Sequence, residues 1–409
     1  MNILIISKSD IHGGGAIAAY RLMSALKSEG ENVRMAVINK KSGNPDVIEV
    51  GKEFINQCNF YRERGDIFLY NQLSRKNLFD ISIANTGTSI TDLDEFRNAD
   101  IIHLHWINQG LLSIKEIGKI LQSGKKVVWT MHDMWPFTGI CHYAGSCTAY
   151  TTGCGHCPFL KRDSAKDLSR IIFDRKHSNY GKGKISFVAC SNWLKDLALK
   201  SPLTSEHNVV SIPNPIDTQI YRPMDKNTIR KSLGLPAEKK IILFASVKAS
   251  DKRKGMDYLV ESTKLMTHLS EKVLFIIAGN RSNEIDQFHL PFRSMGYIPS
   301  ENMPELYNAA DLFVSPSLQD NLPNTIMEAM ACGIPCIGFD TGGVPEMIDH
   351  RENGYVAKYK NSEDLAEGIE WPLFKADYKQ LSINARRKVL KKYSMSSVAN
   401  QYKQIYGNY

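Results

Sequence analysis

The chain has 409 residues, 43% of them hydrophobic and 23% charged, too long for one ordinary core and suited to two domains of about 200 residues each. No apolar run approaches the ~20 residues that a membrane span needs, and Met1-Asn-Ile-Leu-Ile-Ile-Ser7 lacks the basic start and small-residue cleavage site of a leader, so a cytoplasmic protein is expected. The net charge of +8 (51 Lys and Arg against 43 Asp and Glu) suits phosphorylated small molecules or an anionic membrane face; with only short clusters such as Lys252-Arg253-Lys254, nucleic acid is not an expected partner.

In chain order, the first apolar run is Ile3–Ile6, followed by the glycine-rich turn Ile11-His-Gly-Gly-Gly-Ala16. This turn is not GxGxxG. It either tightens a strand-to-helix connection or presents Gly14 and Gly15 to a phosphate at a helix start. Ala18, Leu22, Ala25 and Leu26 then keep helical spacing, with Gly30 as the stop. Further apolar runs are Val33–Ile38, Ile101–His105, Val127–Met131, Ile185–Ala189 and Val209–Ile212. Continuous apolar runs without alternation belong to parallel strands covered on both faces, so the fold class is α/β with parallel sheets.

Strand ends of such sheets are where ligands bind. Two of them carry histidines: His103, His105 and Trp106 after one run, His132 after another. The first three are candidates for an acceptor pocket. Asp92-Leu-Asp94, the chain's one Asp-x-Asp, lies in a polar stretch and reads as a solvated helix start. The cluster Cys141-x5-Cys147-x6-Cys154-x2-Cys157 has three open readings: a structural zinc site, buried free thiols, or a redox group.

Pro213 and Pro215 interrupt the pattern at Ile212–Asp217 and mark a hinge. The domains are expected at 1–212, with the cysteine-rich insert at 141–157, and at 213–390, with a terminal helical segment at 391–409. The second half repeats the strand pattern at Ile241–Ala245, Val273–Ala278, Leu312–Val314 and Pro335–Gly338. A basic loop with Arg253 and Lys254, or Lys248 in place of Arg253, can stabilise a departing diphosphate. Asp320 lies in the loop after the third of these runs, Pro323 opens a helix, Glu328 follows eight residues after Asp320, and Gly333 ends the helix.

That stretch, with Ala329, Ala331, Gly333, Pro335, Gly342, Gly343 and Glu346 at fixed offsets, resembles the family-4 glycosyltransferases of GT-B fold. The His-Asp-x-Trp-Pro-x-Thr-Gly stretch and cysteine-rich insert resemble its bacterial capsule and colanic-acid branch. The resemblance implies two Rossmann-like domains facing a cleft, with the last helix packing back on the first domain. It implies retaining transfer of a sugar from a nucleoside-diphosphate-sugar to a hydroxyl of a lipid-linked oligosaccharide, with no cofactor required for catalysis. Glu328 would bind the donor ribose and Asp320, usually Glu in the family, the sugar or diphosphate. Arg253 and Lys254 would neutralise the leaving group. Gly14, Gly15 and His132 would approach the donor, Asn321, Leu322, Pro323 and Asn324 would position its sugar, and the backbone at Ile298 would meet its base. A nucleotide-sugar 2-epimerase of the same architecture and a non-catalytic sugar-nucleotide-binding protein are the alternatives.

Overall fold

The structure, a computed structural model, describes residues 1–248, 251–280 and 283–407; the side chains at 247, 248, 283 and 284 lie outside the description, the Lys248 alternative among them. The chain divides into two compact units, Met1–Pro215 with Val398–Tyr409, and Ile216–Ser397.

The first unit is built on seven strands, β1 (Asn2–Ile6), β2 (Asn32–Val37), β3 (Val47–Glu49), β4 (Ile101–Leu104), β5 (Lys126–Met131), β6 (Ile185–Ala189) and β7 (Asn208–Ser211). They lie in the order β3-β2-β1-β4-β5-β6-β7, every pairing parallel. Unbroken burial of β4 is the consequence of its apolar run, since both sheet faces are covered. The glycine run ends in helix α1 (Gly14–Ser28), which buries Ala18, Leu22, Ala25 and Leu26 at the predicted spacing. Gly30, at φ +88°, closes the helix by donating its amide to Lys27 O. A second helix, α2 (Glu53–Tyr70), has no such stripe of apolar residues facing inward.

The second unit has six strands, β8 (Lys240–Lys248), β9 (Val273–Asn280), β10 (Phe292–Gly296), β11 (Leu312–Ser315), β12 (Cys336–Phe339) and β13 (Gly354–Ala357). Their order is β10-β9-β8-β11-β12-β13, again with parallel pairing. In both sheets the order reverses beside the unit's first strand, at β1/β4 and at β8/β11, the switch point where open α/β sheets take ligands. β3, β10 and β13, all at sheet edges, carry no apolar run, and β10 is largely exposed.

The division between the units falls at Pro215/Ile216, inside the proline-marked stretch, and at Ser397/Val398, beyond the helix Tyr378–Lys392. The final helix, Met395–Gly407, buries Tyr402 and Tyr406 among first-unit residues. Tyr402 Oη lies 2.8 Å from Thr130 Oγ1, and Tyr406 Oη 2.7 Å from His103 Nδ1. Among the described residues no helix is long and apolar enough to cross a membrane.

Candidate functional site

At the strand ends of the first unit, β5 delivers His132 and β4 delivers His105, whose Nδ1 lies 2.9 Å from His132 Nε2. Burial holds the His132 imidazole down to about 4 and His105 well below its ordinary range. Both are therefore neutral near pH 7, and one ring donates to the other. His105 Nε2 is buried without a partner among the described residues. A Cβ on Gly15 would come within 3.1 Å of His132 Cδ2, so the glycine lets the first turn of α1 lie against the imidazole. Gly14, Gly15 and His132 are thus brought together, with Gly13 at φ +96° turning the chain into the helix.

His103 does not join them as an acceptor residue. It is fully buried, with Nδ1 engaged by Tyr406 Oη and Nε2 2.8 Å from Thr130 Oγ1, and burial drives it down to about 3. Its role is to tie the terminal helix to the sheet. The His105 side chain is likewise buried at 3% exposure, so of the three acceptor candidates only half-buried Trp106 offers surface.

Pattern reading did not single out two residues beside Trp106. Asp133 Oδ2 accepts from Trp106 Nε1 at 3.0 Å and lies 2.7 Å from His142 Nδ1. Burial pulls its carboxyl upward, but His142, the Trp135 amide and Trp106 outweigh this and hold it below the ordinary range. Lys8, just past β1, donates to Gln109 Oε1 at 2.7 Å and stands 5.6 Å from the Trp106 ring centroid. Burial lowers its ammonium to about 8. The position of Lys8 directly after a buried strand was the available signal, and Asp133 lay inside the His-Asp-x-Trp-Pro stretch.

In the second unit the loop after β8 and the loop after β11 converge. Lys254 Nζ donates to Asp320 Oδ2 at 2.7 Å across 66 residues of sequence. Two glycines make that approach possible. Gly255 has φ +70° and a Cβ there would fall 1.9 Å from Pro316 O; Gly342 has φ +58° and its Cβ would fall 1.7 Å from Asp320 O. Only glycine tolerates both the left-handed backbone and the contact. Leu318 N donates to Arg253 O at 2.7 Å, which joins the same two loops again. The exposed Arg253 side chain pairs with Asp251 at 2.7 Å.

The helix Asn324–Ala331 starts directly after Asn321, Leu322 and Pro323, all buried. Pro323 is the residue before the helix rather than its first, and without an N–H it cannot donate to a ligand. Glu328, one turn into the helix and 7% exposed, accepts from Tyr307 Oη at 2.9 Å. Tyr307 is a partner that no motif announced. Ile298 sits half-buried in the segment between β10 and the turn at Ser300–Asn302. Asp94, of the Asp-x-Asp, opens the helix Asp94–Asn98 and pairs with Arg97, an exposed surface contact.

Cys141, Cys147, Cys154 and Cys157 are all free and line one cavity of about 10 Å³ with Tyr150 and Phe159. Gly139 N donates to Cys154 Sγ at 3.3 Å. Burial raises Cys141 and Cys157 to about 12 and Cys154 to about 11. The side chains gather, yet among the described residues no three His, Cys, Asp or Glu stand in an arrangement able to hold a metal ion. Nearby, fully buried Lys176 donates to Trp135 O at 2.6 Å and Thr138 O at 2.9 Å and sits 3.3 Å from the Trp135 ring centroid.

Residues 225–388 match the family described as Glycosyl transferases group 1. An uncharacterized glycosyltransferase of Methanocaldococcus jannaschii is 26% identical over 78% of this chain and 85% of its own. An N,N'-diacetylbacillosaminyl-diphospho-undecaprenol alpha-1,3-N-acetylgalactosaminyltransferase of Campylobacter jejuni is 31% identical over 37% of this chain and 41% of its own. Several other curated relatives are matched over about half their length. Among solved structures, Anabaena HepE in complex with UDP-glucose superposes with a TM-score of 0.66 at 15% identity, covering 98% of both chains. Residues 225–388 thus resemble the Glycosyl transferases group 1 domain, and the fold of the chain is that of GT-B glycosyltransferases.

Proposed function

We propose that this chain is a retaining glycosyltransferase that moves a hexosyl group from a nucleoside-diphosphate-sugar to a hydroxyl of a lipid-linked oligosaccharide in bacterial surface-polysaccharide synthesis. The observation that carries this reading is the glycine-enforced convergence of Lys254 and Asp320 beside the helix that bears Glu328. An ammonium at 2.7 Å from one carboxylate, next to a helix start, is a place where a diphosphate can displace the carboxylate. The UDP-glucose bound by the Anabaena neighbour and the diphospho-undecaprenol acceptor in the name of the Campylobacter relative support the donor and acceptor classes.

In this reading Glu328 accepts hydrogen bonds from the donor ribose, and the amides of Asn321, Leu322 and Asn324 hold the sugar diphosphate. Lys254 neutralises the leaving diphosphate, with Arg253 supplying longer-range positive charge. The bond from the anomeric carbon to the diphosphate oxygen breaks and a bond to the acceptor oxygen forms on the same face. The acceptor proton passes to the departing phosphate oxygen. Neutral His132, backed by His105 and abutting α1 at Gly15, donates to or accepts from a sugar hydroxyl without adding charge. This chemistry uses the protein's own cations and requires no metal.

A thermal-shift screen of UDP, GDP, ADP, CMP and their sugars on wild type and Glu328→Ala tests the donor site. A shift for one diphosphate family that Glu328→Ala abolishes is the expected result. No shift with any nucleotide overturns it. Conversion of the donor sugar to another sugar nucleotide with no acceptor present would identify an epimerase, and donor binding without turnover in the presence of acceptor a binding protein. We also propose that the four clustered thiols take one zinc ion after rotation within their cavity; elemental analysis that finds no zinc in the purified protein overturns this.

A further inference from the structure

Helix α2 is turned inside out. Its buried residues are Asn56, Glu63, Arg64 and Ile67, three of them polar. Asn56 Nδ2 donates to Val50 O at 2.9 Å, Glu63 Oε1 accepts from the amides of Ile83 at 2.8 Å and Ala84 at 2.9 Å, and Arg64 donates to Ile81 O at 2.9 Å. The helix is therefore anchored by hydrogen bonds rather than by an apolar stripe.

Its outer face carries the apolar groups instead. Phe54, Tyr61 and Leu69 are 77%, 68% and 65% exposed, and Ile55 and Tyr70 are exposed beside them. Phe54, Cys58, Tyr61, Arg62, Gly65 and Leu69 follow i, i+4, i+7, i+8, i+11 and i+15, one continuous helical stripe. The segment after the helix extends it with exposed Leu73 and Phe79. Gln72 and Leu73 hold φ of +54° and +59°, a left-handed backbone that favours glycine. Large apolar side chains exposed together along one helix of a folded protein mark an interaction surface.

The charges around it indicate the partner. Lys52, Arg62, Arg75 and Lys76 are exposed on or beside the stripe, against exposed Glu53 and Asp80 and the half-buried Asp66. Aromatic and aliphatic side chains on one helical face, flanked by cations that can reach outward, match the interface of an anionic bilayer. The inner edge of the same helix belongs to the strand-end region, because Lys8 stands 5.1 Å from the Phe60 ring centroid and 5.6 Å from that of Trp106.

We propose that the outer face of α2, with the Leu73–Phe79 extension, docks the chain on an anionic lipid bilayer. This deepens the reading of a lipid-linked acceptor: docking there holds the β1 and β4 strand ends near the membrane surface. Vesicle binding and nucleotide binding are measured separately, so either can fail while the other stands.

The test is flotation with vesicles of phosphatidylglycerol and phosphatidylcholine, and of phosphatidylcholine alone, at low and high salt. Wild type is compared with a Phe54→Ser, Tyr61→Ser, Leu69→Ser variant, and with Arg62→Gln, Lys76→Gln. The expected result is salt-sensitive binding to the anionic vesicles that falls about tenfold or more in the serine variant and severalfold in the glutamine variant. Equal binding by wild type and serine variant overturns the proposal. So does no binding by wild type, or dimerisation through this face that leaves vesicles unbound. A Phe54→Trp chain gives a reading that does not depend on the serine variant folding. Because the chain has five tryptophans of its own, the reading is the difference in emission between Phe54→Trp and wild type: it moves to shorter wavelength on anionic vesicles if residue 54 enters the bilayer, and an unchanged difference spectrum overturns the assignment.

Discussion

The same place in the two sheets, the ends of the parallel strands, is finished in opposite ways. In the first unit it is a neutral network of His103, His105 and His132, buried and closed by Tyr402 and Tyr406 from the terminal helix. In the second it is a charged pair, Lys254 and Asp320, held between glycines that press on backbone carbonyls. A network of neutral rings that hydrogen-bond to one another gains rigidity without ion desolvation, although His105 Nε2 has no partner among the described residues. A partly exposed ion pair stays available to an anion that arrives later. One end is made to present shape, and the other to meet charge.

The strongest way to break this comparison is to disturb the glycine contacts of the second unit alone. Gly342→Ala forces a Cβ to within 1.7 Å of Asp320 O at φ +58°. It should cost about 4 kcal/mol or more and abolish the nucleotide shift. Calorimetry should show the transition of the second unit lowered and that of the first retained. Gly15→Ala, whose Cβ meets a histidine side chain at 3.1 Å, should cost only about 1 kcal/mol.

Acid should sharpen the contrast from the other side. The folded-state values of His132 and His103, about 4 and about 3, lie below the ordinary imidazole value of 6.5. Between about pH 6.5 and 4 the unfolded chain therefore binds more protons. Stability rises with pH across that window and is lost as pH falls through it, by up to about 1.4 kcal/mol per pH unit for each histidine. Melting curves across this range should show the loss, and His132→Asn should flatten it. Lys254→Ala should lower kcat about 100-fold with little change in melting temperature, measured by sugar transfer. The smallest effect is expected at Arg253, whose exposed pairing with Asp251 makes Arg253→Ala worth less than about threefold in kcat.

Much of the fold is readable along the chain. Ten apolar runs correspond to ten of the strands, because a strand covered on both faces has no polar positions to interrupt it. β3, β10 and β13 carry no such pattern, and α2 turns most of its large apolar residues outward. Within the site, Asp320, Glu328 and the glycine turns stand out because their spacing is local: a loop, a helix start and a turn lie within about thirty residues. The partners of these residues are not local. Lys254 and Asp320 are 66 positions apart, and His103 and Tyr406 are 303 apart.

Local order along the chain decides which residues are strand, turn or helix start, because backbone preference and burial period act over a few neighbours. It also restricts Gly255 and Gly342 to glycine, although the reason appears only when Pro316 O and Asp320 O are seen against them. Tertiary structure alone decides which polar groups meet. It assigns His103 to the terminal helix, leaves His132 neutral beside Gly15, turns Arg253 toward Asp251, and gives Glu328 the hydroxyl of Tyr307. A side chain's charge state and task depend on what lies within a few ångströms of it, and the packing of distant segments sets that neighbourhood.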